Sequence, residues 1–340
     1  MRYITSFLFF IFIATNSSAQ GCCSGGAGSP IAGGAATGVL QKNQMQVSAN
    51  YQYIFSNKFY TENRDTNALF DNLNSNYIFY RMDYGFTKKF TFSIAAGYFF
   101  NKSLIELNQT DTIHSKGMGD LIFFPRYDLY NKTKNNIRTE FTLGLGLKIP
   151  LGSHNDSTLM LSHPSIGDVY AISPPTVQPT NGSNDLMFYS FFFRNYNINK
   201  IRLFSNALYI KRGYNSLGEK FGDYASIGLF VGKTFIRKWG VTTQIKGEWI
   251  GEIKAKEGID LVADYNIDIA STGSKKIFFI PQISYIKKSF VVFATCEIPL
   301  YQYVNGTQVG SQIQITSGFN YRFMVKSPEI KTDDYDIQVN

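Results

Sequence analysis

Phe90-Thr91-Phe92-Ser93-Ile94-Ala95-Ala96-Gly97-Tyr98-Phe99-Phe100 alternates between two kinds of residue. Phe90, Phe92, Ile94, Ala96 and Tyr98 fall on one face of an extended chain, and Thr91, Ser93, Ala95 and Gly97 on the other. Successive side chains of a strand point to opposite faces, so this run reads as a strand with one large apolar side and one small polar side. From Ile137 the pattern recurs, with Phe141, Leu143, Leu145, Leu147 and Ile149 opposed by Arg138, Glu140, Thr142, Gly144, Gly146 and Lys148. Near the end of the chain Ile313, Ile315, Phe319, Tyr321 and Phe323 oppose Gln312, Gln314, Thr316, Asn320 and Arg322.

Strands of this kind suit a soluble sandwich or a membrane barrel. Sandwich strands usually run for about 5–6 residues. Many of the periodic runs here extend for 10 to 14 residues, whereas a tilted membrane strand needs about 9–11. The polar faces also carry charges and glycines at mid-strand, as a barrel interior does.

Twelve such segments lie near 43–55, 75–86, 90–100, 117–130, 137–149, 185–196, 200–211, 222–235, 240–251, 275–286, 289–301 and 309–324. Short connections such as Thr87-Lys88-Lys89 alternate with long ones such as 150–184. Short periplasmic turns and long extracellular loops are the rule of outer-membrane barrels. Aromatic residues gather at strand ends: Phe86, Phe90, Tyr130, Tyr196, Phe235, Trp239 and Tyr285 near the turns, and Tyr53, Phe55, Phe99, Phe100 and Trp249 near the loops. Two interfacial girdles are expected from them. The expected fold is therefore all-β, a transmembrane antiparallel β-barrel of about 12 strands. Ten or 14 strands remain open, because 150–184 and 252–274 each have room for a further pair, around Leu159-Met160-Leu161 and from Ile259 to Ile269.

Outside the barrel, the N-terminus reads as an export signal. Arg2 precedes an apolar run from Ile4 to Ala14, and Ser17-Ser18-Ala19 supplies a cleavage site after Ala19. A lipoprotein anchored through Cys22 and an uncleaved anchor are the alternatives, the latter short for a bilayer. The expected organisation is a signal peptide at 1–19, a Gly-rich segment at 20–42 acting as linker or plug, a barrel at 43–324 and a polar periplasmic tail at 325–340. The expected location is the outer membrane of a Gram-negative cell, with both termini periplasmic, since an even strand number returns the chain to its starting side.

Composition agrees with many strands and turns. The 340 residues include 30 Phe, 22 Tyr, 29 Gly and only 2 Trp. The net charge of +8 is spread through turns and strands rather than clustered, so nucleic acid is not an expected partner. Membrane lipid and a small-molecule solute are the expected partners; oligomeric state is open. Three cysteines, Cys22, Cys23 and Cys296, leave at least one thiol unpaired in a monomer. Cys22 and Cys23 supply only part of a metal site, and no metal or cofactor is expected.

Catalytic arrangements are weak. His114, His154 and His163 all fall in expected loops. His163 with Asp156 or Asp168 and a loop serine would form a triad only by coincidence of folding. Asp156, Asp168, His154 and His163 do not have the spacing of a calcium loop. Gly144-Leu145-Gly146 sits mid-strand rather than opening a helix, so it reads as room made inside a barrel. No catalytic residue is assigned.

The inward charges carry the functional expectation. Strand parity selects Arg81, Asp83, Asp120, Arg126, Asp128, Arg138, Glu140, Lys148, Arg194, Lys246, Glu248, Glu297 and Arg322, seven basic and six acidic. A strongly selective ion pore would show one sign in excess. Near-balance implies cross-barrel ion pairs, because a lone buried charge is costly. Parity also assigns Phe79, Phe124, Phe188 and Phe192 to the lumen as an apolar contact surface.

Gly117-Met118-Gly119-Asp120-Leu121, opening a strand that continues through Pro125-Arg126-Tyr127, resembles the phenol-degradation meta-pathway family of outer-membrane proteins, relatives of the long-chain fatty-acid transporters. Tyr80-Arg81-Met82-Asp83-Tyr84-Gly85-Phe86-Thr87, followed by Phe90-Thr91-Phe92-Ser93, is similar to its strand–turn–strand pattern. The rhythm extends over 45–324, the motifs over these two segments. The resemblance implies a barrel that takes up small, often apolar molecules. Two features depart from it: the N-terminal segment does not match a transporter hatch, and a polar tail follows Phe323. The expected function is a passive transporter or channel for a small apolar or amphipathic solute; the alternative is a non-conducting barrel with a filled lumen that displays its loops.

Overall fold

The structure is a computed structural model that describes residues 38–325, apart from 110, 166, 199, 237 and 266. The expected signal peptide, most of the Gly-rich segment and nearly all of the polar tail lie outside the described residues.

Twelve long strands form the body: β1 (Gln44–Ser56), β2 (Asn72–Gly85), β3 (Phe90–Ile105), β4 (Asp120–Lys134), β5 (Ile137–Pro150), β6 (Asp185–Tyr196), β7 (Ile201–Lys211), β8 (Tyr224–Phe235), β9 (Trp239–Ile250), β10 (Ser274–Lys287), β11 (Phe290–Val309) and β12 (Ile313–Met324). Each pairs antiparallel with its neighbours, and β1 closes on β12 from Gln44 opposite Met324 to Phe55 opposite Ile313. The result is a closed barrel of twelve strands.

The sequence alternation explains the closure. Leu143, Leu145 and Leu147 of β5 and Ile227, Leu229 and Val231 of β8 are exposed on the outer face. Thr142 and Gly146 of β5 and Gly228 and Gly232 of β8 point inward. An apolar exterior around a polar and glycine-containing interior is stable in hydrocarbon, where a closed barrel leaves no strand edge unpaired. The exposed rings of Phe86, Tyr130, Phe235 and Trp239 at the turn end, and of Tyr53, Phe100 and Trp249 at the loop end, form the two girdles. Phe99, expected among them, points inward and is buried; a bulge between Phe99 and Lys102 follows it.

Short turns follow turn chemistry. Between β4 and β5, Asn135 and Asn136 take positive φ values of 50° and 61°, which suits a tight hairpin whose twist matches the strands. The loop end is more elaborate than the sequence reading. β3 and β11 run past the expected ends; a strand at Thr112–Met118 pairs with β3, and one at Phe59–Glu62 with β11. Segment 150–184 does hold a strand pair, Ser157–His163 with Gly167–Ile172, but it forms its own two-stranded sheet outside the barrel. In 252–274 the chain instead makes a short helix, Leu261–Tyr265, over Phe221, Ile253 and Ile267.

Candidate functional site: the barrel lumen

Inward residues of β2 to β8 build an aromatic wall. Phe124 meets Tyr189 edge-on at 5.4 Å, Tyr189 lies parallel to Phe191 at 6.5 Å, and Phe191 is 6.3 Å from Phe204. Phe204 then stacks on Phe230 at 4.2 Å, while Tyr77 packs on Phe99 at 4.3 Å on the other flank. Neighbouring β5 leaves room for this wall. A Cβ at Gly144 would sit 2.9 Å from the Phe124 ring, so glycine there permits the close approach.

The opposite side is different. β1 turns Gln46, Ser48, Asn50 and Gln52 inward, all buried, and β12 presents Gln314, Thr316, Gly318 and Asn320. Gln52 Nε2 donates to Thr316 Oγ1 at 3.4 Å, while Gln52 Oε1 has no hydrogen-bond partner among the described residues.

A buried charge cluster joins the two walls near the turn end. Asp83 accepts from Arg81 Nε at 3.0 Å and from Arg126 Nη2 at 2.7 Å. Ser93 Oγ also donates to Asp83, and Gln46 Nε2 reaches it at 3.4 Å. Glu140 pairs with Arg138 at 2.8 Å. The Arg81–Asp83–Arg126 pairs hold because each partner is buried and hydrogen-bonded, so removal of one leaves the other stranded, whereas the Arg138 side chain is part-exposed. Toward the loop end Lys148 bridges Asp120 at 2.9 Å and Asp185 at 3.0 Å. Lys246 contacts Glu297 at 2.6 Å and Glu248 at 3.5 Å, with its Nζ over the Phe278 ring.

Chain segments cross both ends. At the turn end residues 38–40 lie inside: Arg126 Nη1 donates to Gly38 O at 2.8 Å, Val39 N to Glu140 Oε1 at 3.3 Å and Leu40 N to Thr91 Oγ1 at 2.8 Å. A Cβ at Gly38 would collide with the Glu140 carboxylate. At the loop end residues 173–180 fold inward, and Val177 is fully buried against Leu73, Leu104 and Ile113. Lys102 Nζ donates to Gln178 O at 2.7 Å, and Ser115 Oγ donates to Val177 O. Gln178 stitches the segment to itself through Asp156 O and Ser173 O.

Loop 212–223 sits beside this segment. Its buried Glu219 carboxyl is raised by burial, which the Asn215 amide partly offsets. Asp223 goes the other way: burial raises it, but the Arg212 amide, the Tyr209 hydroxyl and Lys220 together hold it below its ordinary value.

Of the charges expected inward, Arg81, Asp83, Asp120, Arg126, Asp128, Arg138, Glu140, Lys148, Lys246, Glu248, Glu297 and Arg322 lie on the inner face. Phe79 and Phe124 are inward and buried. Arg194, Phe188 and Phe192 are corrections: all three are on the outer face of β6 and exposed. Phe191-Phe192-Phe193 puts rings on both faces, so alternation alone leaves the parity of β6 undecided. Pairing decides it, because Phe188 lies opposite Leu145 and Phe192 opposite Phe141, both lipid-facing. The inner residues of β6 are instead Asp185, Met187, Tyr189, Phe191 and Phe193. Asp185, Arg202 and the rings of Tyr189, Phe191, Phe204 and Phe230 were not among the expected lumen residues. A carboxylate at the loop end of β6, in need of a cation such as Lys148, was the signal that would have set the parity.

The histidines lie beyond the barrel, but His114 and His163 sit on short loop strands rather than irregular loops. His154 Nε2 lies 2.8 Å from Ser216 Oγ. Asp156 and Asp168 are engaged by Ser153 and Ser162. Among the described residues no group of three His, Cys, Asp or Glu is placed to hold a metal.

Comparison with protein families finds no matching family, and comparison with curated proteins finds no match. Solved structures do match. An outer membrane channel from Pseudomonas putida F1 is 12% identical with a TM-score of 0.64, covering 84% of this chain and 97% of that one. The β domain of a Bordetella autotransporter, BrkA, is 12% identical with a TM-score of 0.44, covering 82% of this chain and all of that one (100%). A Pseudomonas aeruginosa FadL homologue is 7% identical with a TM-score of 0.41, covering 84% of this chain and 91% of that one. At such identities the likeness is one of fold. With its lipid-facing apolar belt, its two girdles and its closed antiparallel sheet, the chain is a twelve-strand transmembrane β-barrel of the outer-membrane type.

Proposed function

We propose that the barrel is a passive, gated channel for small amphipathic molecules crossing the outer membrane. The observation that carries this reading is the split lumen. An aromatic wall on β2 to β8 faces an amide and hydroxyl wall on β1 and β12. A solute with an apolar body and a polar edge fits between two such surfaces, and Gln52 Oε1, buried without a hydrogen-bond partner among the described residues, is an unsatisfied acceptor on the polar side. The inner charges line a narrow polar path beside the rings, and the outer-membrane channel that shares the fold supports a transport role for it.

In this reading residues 20–42 act as a plug to which the inward 38–40 segment belongs, and residues 173–180 form the opposite stopper. Both termini are periplasmic and the long loops are extracellular. Two measurements test the assignment. Planar-bilayer conductance should be low for the full chain and should rise when 21–38 is deleted behind the signal peptide. Gly38→Leu should also raise it, because its side chain cannot share space with Glu140. Unchanged conductance in both, with normal heat-modifiable assembly, would sink the plug. Labelling of intact cells should reach a cysteine at Ser165 but not one at Lys134; the reverse would invert the orientation.

A second reading has its own observation. The Arg81–Asp83–Arg126 cluster and its contact with Gly38 fill the turn-end lumen, as in a structural barrel that only displays loops. Liposome swelling across sugars, amino acids and aromatic acids separates the two, since a filled barrel passes none of them.

A further inference from the structure

Arg202, like Arg322 of β12, which donates to Gln46 Oε1, differs from the other inward cations of the turn-end half. Arg81, Arg126 and Arg138 each hold a carboxylate within 3.0 Å. Arg202 is half-buried on the inner face of β7 and holds none among the described residues. Its Nη2 donates to Thr234 Oγ1 at 3.2 Å, and its Nε is buried without a hydrogen-bond partner among them.

The wall beneath it has the form of a shallow cradle. Arg202 pairs with Gly232 of β8, which lies opposite Thr242 of β9. A Cβ at Gly232 would lie 3.7 Å from Arg202 Nη2, and one at Gly240 would lie 3.8 Å from it. The same two positions face Thr242 Oγ1 at 2.9 Å and Ser284 Oγ. So the guanidinium lies over two glycines, with the Thr234 and Thr242 hydroxyls beside it and that of Ser284 engaged by Gly240 O at 3.3 Å, in a sector with no anion among the described residues. One step along the barrel axis the surface turns apolar, with the stacked Phe204–Phe230 pair.

We propose that Arg202, Thr234 and Thr242 form a binding site for the carboxylate of a small aromatic acid, whose ring rests on Phe204 and Phe230. A guanidinium presents parallel N–H donors that match a carboxylate in two-point contact, and hydroxyls complete the oxyanion's remaining acceptor positions. A half-buried cation without a counter-charge favours an anion arriving from outside, since pairing offsets part of its desolvation cost. The inference rests on the transport reading only for the route by which the acid arrives. One other carboxylate source exists: the chain's own tail carries Glu329, Asp333, Asp334 and Asp336, all outside the described residues.

The test is calorimetric titration of benzoate into the full detergent-solubilised chain, with benzyl alcohol as the uncharged comparison. Benzoate should bind, R202Q should weaken it at least tenfold, and R202K should recover part of the loss. Benzyl alcohol should bind more weakly and equally to all three. A thermal melt and gel shift identical to wild type would show that R202Q still folds. Equal benzoate affinity in wild type and R202Q overturns the site. Benzoate binding that appears only when the chain is ended at Val325 also overturns it, because the tail would then be the carboxylate that Arg202 holds. Conductance is read separately. A chain that binds benzoate through Arg202 yet never conducts keeps the site and removes the transport reading.

Discussion

The aromatic side of the lumen and the amide side obey the same alternation but behave as different materials. From β4 to β8 the inward rings follow one another in a continuous series, Phe124 to Tyr189 to Phe191 to Phe204 to Phe230. Ring packing of that kind is stabilising in itself and leaves few polar groups to satisfy. On β1 and β12 the inward groups are mostly amides and hydroxyls, with Arg322 at the turn end, and they meet through hydrogen bonds such as Gln52 to Thr316 at 3.4 Å. The first wall resists deformation; the second offers donors and acceptors to whatever enters. Chemistry on a barrel's inside is therefore set sector by sector, not by the barrel as a whole.

Asp83 is where this comparison is most easily broken, because it touches both sides: Gln46 belongs to the amide wall, and Arg126 leads to the aromatic one. Asp83→Ala should cost about 3–5 kcal/mol, as for other buried ion pairs stripped of one partner. Reversible denaturant unfolding of the barrel in lipid vesicles measures this, and a cost under ~1 kcal/mol would mean that water already screens the cluster. Truncation of a ring comes next. Phe191→Ala should destabilise by about 3 kcal/mol if the aromatic wall is dry and packed. On the facing wall Gln52→Ala should cost only about 1 kcal/mol, the worth of one ordinary hydrogen bond. Equal costs for the two substitutions would erase the distinction between the walls.

The smallest expected effect lies in loop 212–223, where two carboxyls respond to pH in opposite directions. Glu219 has its pKa raised above its ordinary 4.5 by burial. Its contribution to loop order is full below that value and is lost as pH climbs through the raised one. Asp223 has its pKa held below its ordinary 3.8, against the raising effect of burial, by the Arg212 amide, Tyr209 and Lys220. Its contribution is present above 3.8 and is lost as pH falls through the lowered value. A spin label at exposed Tyr214, in a chain otherwise without cysteine, should be least mobile in mildly acidic buffer. Glu219→Gln should abolish the rise in mobility on the alkaline side alone; an unchanged profile would show that Glu219 does not hold the loop.

What could be read from the sequence, and what could not, follows the same physics. Alternation in β3, β5 and β12 is clean, so their inner and outer faces were legible at once. Run lengths and turn spacing located twelve strands, since hydrocarbon thickness limits both. Parity failed in β6, where three consecutive phenylalanines carry no alternation and only the register with β5 discriminates. The Phe204–Phe230 stack depends on neighbours in space rather than in sequence. The insertion of Gly38 against Glu140, with the adjacent Val39 101 residues from its carboxylate partner, has no local signature beyond small side chains. A strand pair around Leu159 was legible as an option, but its place in a separate sheet rather than in the barrel was not, because that depends on pairing in space.

The seam between β1 and β12 has a consequence for how the molecule comes to exist. Its ladder joins Gln44 to Met324, nearly the full span of the described chain. Contacts so distant in sequence form slowly, because the entropy of closing the intervening loop is lost before any pair is gained. Until the last strand is in place, β1 presents a long row of bare amides and carbonyls. Hydrocarbon will not accept such a row, and in water it is a template for pairing with another chain. A chain cut short of Ile313 would thus be no smaller barrel but an open ribbon with two adhesive borders, and birth of the protein is completed only by its final twelve-residue strand.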